Sequence, residues 1–196
     1  IHGCLVGSEM CIRDRALTEP DAGTDLQGIR TRADKSGNGY SLNGAKTWIS
    51  NAVEGGVLAI LAKTDPEAEP RHKGMSLFLV EKSSEFRVSK RMKKLGYKGI
   101  DSGEFVLDDL FVPGENLIGG VEGRGLQQIL SLELGRINVA ARGVGIAKAC
   151  LLKSVEYAQV RKTFGKPIAD HQSIQIKLAD MATQVLSLIH ISEPRD

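Results

Sequence analysis

Between Leu17 and Asp25 the chain reads LTEPDAGTD, where Pro20 and Gly23 punctuate a loop rich in hydroxyls and carboxylates. Thr18 and Thr24 offer hydroxyls to a ligand, and a loop fixed by Pro and Gly adds backbone N–H groups. Further on, Trp48-Ile49-Ser50 ends a strand-like run and sets an indole beside another hydroxyl. An indole wall with hydroxyl and amide donors suits a flat ring with polar edges, such as a flavin. Taken singly, each feature is an ordinary turn or a packed strand end. Their joint presence and order point to a ligand.

Three other stretches invite chemistry and read more plainly. GGVEGRG (119–125) could cradle a phosphate ahead of a helix N-terminus. A dinucleotide fingerprint, however, needs a short helix and then a second strand. A long helical pattern follows instead, so this stretch reads as an inter-domain turn. RVSKRMKKLGYK (87–98) holds six basic residues and reads as a solvated loop. Phosphate contact through Lys90, Arg91, Lys93 and Lys94 is the alternative. Cys150 sits in an apolar helical pattern and reads as a small core residue rather than a nucleophile.

These residues need elements to position them, and the hydrophobic period changes along the chain. Residues 16 to about 118 read as strands and turns. Asn43-Gly44, between Tyr40-Ser41-Leu42 and Ala45–Ser50, is a strong type I′ hairpin signal. Val57–Ala62 predicts a strand buried on both faces, and Met75–Glu81 predicts another. Glu104–Leu107 predicts a short strand, with Asp108-Asp109 turning the chain into Phe111-Val112-Pro113. Turn signals at such short intervals favour a small barrel or sandwich.

From Gly125 the period becomes helical: Ile129, Leu132, Ile137, Val144, Ala147, Leu151 and Val155 predict one helix of about 38 residues. Phe164-Gly165-Lys166-Pro167 reads as its stop, with Gly165 as a left-handed C-cap. Asp170 is expected to cap a second helix with an apolar face of Ile174, Leu178, Met181 and Val185. So long a helix belongs in a bundle, which two helices cannot close. The expected fold class is α+β and multidomain. A small β-barrel or sandwich (16–121) precedes the first helices of an antiparallel four-helix bundle (122–185).

Composition narrows the function classes. In 196 residues, 26 Lys+Arg face 24 Asp+Glu, and this near neutrality argues against a polyanion-coating protein. Aromatics at 5% leave no obvious stacking platform for nucleic acid. No apolar run approaches the roughly 20 residues that a spanning helix needs. Three cysteines make no disulfide framework, so a reducing cytoplasm is the better expectation. Residues 1–15 (IHGCLVGSEMCIRDR) and 186–196 (LSLIHISEPRD) fit neither a signal peptide nor the adjoining periodicity. Both ends are expected to be non-native read-through, which sets aside His2, Cys4, Cys11 and His190.

The order of these motifs resembles the acyl-CoA dehydrogenase family. The resemblance runs from Ala16 to about Val185. It rests on LTEPDAGTD (17–25), LNGAKTWISNA (42–52), VPGENLIG (112–119), ELGR (133–136), RKTFGKPI (161–168), HQSIQ (171–175) and KLADMAT (177–183). It implies a middle β-domain followed by part of a C-terminal helical domain, with FAD lying between them. It also implies α,β-dehydrogenation of an acyl-CoA thioester, with electrons passed to an electron-transfer flavoprotein. The rival readings are an acyl-CoA oxidase-like or monooxygenase-like flavoenzyme and a DNA-associated member of the superfamily. The full-length protein is expected to be a homodimer or homotetramer with no membrane span. Its expected place is the bacterial cytoplasm, or the mitochondrial matrix if the source is eukaryotic.

Carried over residue by residue, the resemblance places Leu17 and Thr18 at the isoalloxazine edge, with Gly23 allowing close backbone approach. Thr24, where Ser is commoner, stands where flavin and acyl-CoA meet. Trp48 and Ile49 flank the flavin, and Ser50, where Thr is commoner, bonds near N5. Arg136 meets the CoA moiety, with Glu133 where Asp is usual. Arg161, Thr163 and Phe164 grip the FAD of a neighbouring subunit, with His171 and Gln172 nearby. The catalytic Glu is expected downstream of residue 185. Some members carry it immediately before the helix Arg, but Gly135 stands there, leaving Glu133 as a conceivable substitute. The chain as given is therefore expected neither to hold FAD tightly nor to turn over substrate. No metal site is expected.

Overall fold

The computed structural model describes residues 15–83, 86–129 and 132–192. It divides into two compact units, one through residue 130 and one from 131. The expectations for residues 1–14 and 193–196 lie outside the described residues.

In its described residues the first unit is a mixed-sheet half-barrel of seven strands: β1 (Arg15–Ala16), β2 (Arg32–Ser36), β3 (Gly39–Ser50), β4 (Val57–Lys63), β5 (Met75–Glu81), β6 (Arg87–Arg91) and β7 (Ser102–Pro113). The order is β1-β4-β2-β3-β7-β6, with β5 also on β4. β1 and β2 run parallel to β4, while the other pairings are antiparallel. The core gathers Leu42, Leu58, Ile60, Phe78, Phe105 and Leu110 between these strands. Burying each such side chain contributes about 1.5–3 kcal/mol. Tyr40 meets Phe78 edge-on at 4.9 Å between ring centroids.

Two of the expected turns are not turns. The β2–β3 hairpin turns at Gly37-Asn38, where Gly37 has φ +55°, while Asn43-Gly44 lies inside β3. Likewise Asp108-Asp109 lies inside a continuous β7. The two signals face each other across one β-bulge, where the register passes from Leu42–Leu110 to Gly44–Leu107. Asn43 donates through Nδ2 to Asp109 Oδ1 (2.9 Å) and accepts from the Asp109 amide (2.8 Å). Those bonds hold Asp109 at φ +49° without ending the strand. A Cβ on Gly44 would lie 2.7 Å from Thr31 Cα, so this position needs glycine for close approach. A further correction concerns 87–98, expected as a loop throughout. Its first five residues form β6, an exposed edge strand whose charges protect it from further pairing.

GGVEGRG folds as a turn bound to the sheet. Glu122 Oε1 accepts from the Tyr40 hydroxyl (2.7 Å) and from Lys35 (3.1 Å), and the Gly123 amide donates to Ser76 Oγ (2.9 Å). Burial and the Glu122 bond push the Tyr40 phenol up to about 12. A short helix α1 (Gly125–Gln128) then packs on β5.

The second unit holds α2 (Leu132–Val160), a ribbon of β8 (Lys162–Thr163) and β9 (Lys166–Pro167), and α3 (Gln172–Ser192). α2 packs against α3. The single helix expected from Gly125 is thus two, because α1 stops at Gln128 with Ile129 as its C-cap. Phe164-Gly165 is not a helix stop either, since α2 has already ended at Val160. Both residues have positive φ, +51° and +78°, as a tight two-residue ribbon turn requires. α3 begins after His171, whose carbonyl accepts from the Ile174 and Gln175 amides, while Asp170 belongs to the preceding 3-10 turn. The apolar face read for α3 is the covered one: Val185 is buried and Ile174, Leu178 and Met181 are half-buried. Cys150 is a correction. It is exposed, because nothing described in this unit covers its side of α2.

Candidate functional site

The LTEPDAGTD loop is tied to β3 by a buried charge pair. Lys46 falls in phase with Tyr40 and Leu42 on β3, so the pleat turns it toward the core, where its side chain is 0% exposed. Lys46 Nζ donates to Glu19 Oε1 at 2.8 Å and to the Leu17 carbonyl at 3.2 Å. Glu19 Oε1 also accepts from the Thr31 amide (3.0 Å) and the Thr31 hydroxyl, and Oε2 accepts from the Arg30 amide (2.6 Å). Burial pushes the Glu19 carboxyl upward, but Lys46 and these donors outweigh it and hold the group below the ordinary carboxylate range. Burial pulls the Lys46 ammonium down to about 8 against the opposing pull of Glu19.

This pair brings the two expected site segments together. Beside it, the Thr47 amide donates to the Thr18 carbonyl at 3.0 Å, which laces residue 18 to the strand just ahead of Trp48. β3 then bulges: the register jumps from Lys46–Phe105 to Ile49–Gly103, leaving Thr47 and Trp48 opposite Glu104 alone. Thr47 Oγ1 donates to Glu104 Oε2 (3.2 Å), while Trp48, at φ +58°, stands 60% exposed. An outward indole at a strained backbone position has no purpose in the core and is available to a ligand.

The other expected residues of this unit divide by burial. Thr18 is half-buried, and Thr24 and Ser50 are exposed. Leu17 and Ile49 are in the core, so the backbone is the part of each that can face a ligand. Among the described residues, a Cβ on Gly23 would meet nothing within 4 Å. Glu19 and Lys46 were missed as site residues. The available signal was a lysine on a core-facing strand position, which demands a buried acid.

The second unit presents its expected residues separately. Phe164 stands 96% exposed at the ribbon tip, and Thr163 Oγ1 lies 3.1 Å from His171 Nε2 behind it. Arg161, Gln172 and Arg136 are exposed. Glu133 lies in α2, with its side chain outside the described residues.

The basic stretch borders a cleft of about 570 Å³ lined by Arg91, Lys93, Lys94, Lys98 and Asp101 among others. Part of its charge is engaged within the chain: Arg91 pairs with Glu54 at 3.4 Å, and Lys94 Nζ donates to the Ile100 carbonyl. Among the described residues no group of His, Cys, Asp and Glu could hold a metal, and no helix is long and apolar enough to cross a membrane.

Comparison with known proteins agrees along both units. The acyl-CoA dehydrogenase middle-domain model matches residues 15–110, and the C-terminal-domain model of the same family matches 123–190. The chain is 43% identical to an acyl-CoA dehydrogenase of Bacillus subtilis, covering 90% of this chain and 46% of the relative. It is 41% identical to a mitochondrial 2-methylacyl-CoA dehydrogenase of Solanum tuberosum, over 88% of this chain and 42% of that protein. Among solved structures, an acyl-CoA dehydrogenase from Geobacillus kaustophilus superposes with a TM-score of 0.82 at 36% identity, over 88% of this chain and 46% of that one. PigA with FAD and proline superposes with a TM-score of 0.80 at 34% identity, over 88% and 45%. The chain spans somewhat less than half the length of the curated relatives it matches. The relatives named dehydrogenases are oxidoreductases of acyl-CoA thioesters, and on these matches the chain belongs to the acyl-CoA dehydrogenase family.

Proposed function

We propose that this chain supplies flavin- and substrate-contacting segments of an FAD-dependent enzyme that introduces an α,β double bond into an acyl-CoA thioester. The observation that carries the reading is the exposed indole of Trp48, held at φ +58° beside a hydroxyl-bearing loop laced to its own strand. That arrangement fits a flat ring with polar edges: an aromatic wall, the Thr18 and Ser50 hydroxyls, and backbone groups at Leu17 and Ile49. When bound, FAD supplies the hydride-accepting chemistry. The residues of this chain orient the ring, exclude water from one side and donate hydrogen bonds to its rim.

In the second unit, the ribbon of Arg161, Thr163 and Phe164, with His171 and Gln172, is assigned to the diphosphate and adenosine of FAD. A guanidinium fork matches phosphate oxygens, and a fully exposed aromatic can cover an adenine face. In this reading the FAD belongs to a neighbouring subunit, which makes the full-length protein a homodimer or homotetramer. Thr24, Arg136 and Glu133 are assigned to the acyl-CoA. Removal of the substrate α-proton is assigned to a carboxylate downstream of residue 185. The electron acceptor in this reading is an electron-transfer flavoprotein.

The test is direct. The complete gene product should purify yellow, and its flavin absorbance should bleach when an acyl-CoA is added without oxygen. Rapid oxygen consumption without another acceptor would favour the oxidase-like reading. A product that stays colourless after reconstitution with FAD removes the assignment altogether.

A further inference from the structure

Three contacts converge where the two proposed flavin-contacting segments meet. Lys46 Nζ reaches the Leu17 carbonyl (3.2 Å) and Glu19 Oε1 (2.8 Å), and the adjacent Thr47 amide reaches the Thr18 carbonyl (3.0 Å). Lys46 is also the last β3 residue in register before the bulge that turns Trp48 outward. The charge pair therefore sits at one joint between the loop of Leu17 and Thr18 and the strand end of Trp48 and Ser50. We infer that Lys46 and Glu19 are positioning residues that fix the flavin-contacting loop and the Trp48 indole at one spacing.

Stability alone is a poor explanation for burying both charges there. A buried ion pair replaced by apolar or neutral groups of similar size often leaves stability unchanged or improved, because the desolvation cost offsets the attraction. What the pair adds is direction. A lysine held by two buried acceptors is restricted in geometry, and here one of those acceptors is the backbone of the proposed flavin loop. A lost lace would let the loop and the indole move independently, and small misplacements of contacting groups weaken a preorganised site strongly.

This inference rests on the flavin reading, and the experiment separates the two. FAD dissociation, the flavin absorption band and thermal melting are measured on the complete gene product and on E19Q/K46M, which removes both charges at nearly constant volume. The double variant is expected to melt cooperatively, to bind FAD at least about tenfold more weakly and to shift the flavin band. Y40F, which removes a hydrogen bond to Glu122 in the same unit without touching the pair or its donors, is expected to stay within about twofold of wild type. Should the double variant fail to fold, E19Q, isosteric and still able to accept hydrogen bonds, is measured in the same way. A folded variant with wild-type affinity and an unshifted band overturns the positioning role while leaving the flavin reading in place. A colourless wild type overturns both.

Discussion

The two units bury their apolar residues to very different degrees. In the sheet unit Leu42, Leu58, Ile60, Phe78 and Phe105 are fully buried, and the strands carrying them pair with one another. In the helical unit only Ala158 and Val185 are buried among the described residues, while Ile137 is 65% exposed and Val139, Ile146 and Leu152 are also exposed. A helix earns most of its stability in a protein from packing an apolar face, so α2 as it stands leaves much of that term unrealised. The contrast separates a unit whose apolar side chains bury one another from a unit whose apolar side chains stand largely open.

The largest test of that contrast lies at the buried pair. K46M alone strands the Glu19 carboxylate in the core and should destabilise the sheet unit by about 3–5 kcal/mol. Denaturant unfolding measures this, and a loss under 1 kcal/mol would show that water reaches the pair. E19Q should cost less, about 2–3 kcal/mol near neutral pH, because an amide still accepts some of the same bonds. Its cost should depend on pH. The Glu19 carboxyl titrates below its ordinary value in the folded state, so its contribution is complete above the ordinary carboxylate range. That contribution drains as pH falls through the lowered folded value. The gap in melting temperature between wild type and E19Q should therefore be widest near neutrality and close on acidification. A gap that stays constant from pH 7 into the acid limb would contradict the depressed carboxyl.

Next in size is Gly44→Ala. Its new methyl would meet the Thr31 hydroxyl and backbone, so a loss of about 2 kcal/mol is expected from thermal melts. A neutral result would mean that the β2–β3 ladder shifts easily at the bulge.

Much of the fold was legible in the sequence because period-2 and period-3.6 patterns mark exactly the faces that burial rewards. Val57–Lys63 and Met75–Glu81 formed where apolar runs predicted them, and α3 buries the face read from Ile174 to Val185. Local turn chemistry misled where tertiary contacts overrode it. Asn43 and Asp109 each carry a strong turn preference, but placed opposite one another they satisfy each other's polar groups within a ladder. Phe164-Gly165 failed in the opposite direction: the positive φ was foreseeable, but the two-residue strands flanking it are too short to give a period. Of the candidate site, the exposed polar and aromatic members came from residue type and order. The buried Glu19–Lys46 pair did not, because a core-facing lysine calls for a buried acid without saying which, and its partner lies 27 positions away in a loop.

The smallest expected effects bear most directly on the comparison, through Gly143 and Gly145 of α2. A Cβ added at either would meet nothing within 4 Å, in contrast to Gly44. Glycine inside a helix costs about 1 kcal/mol relative to alanine. On an uncovered helix, Gly143→Ala and Gly145→Ala should therefore each stabilise the 196-residue chain by about that amount. If the smallness of these residues serves close approach by another helix in the complete gene product, the same methyls will there lie in a packed interface. The sign of the effect should then reverse, with melting temperature falling instead of rising. Paired melts of both variants in both proteins read this difference without reference to activity. Stabilisation in both would mean that the glycine-bearing side of α2 stays open in the complete gene product too.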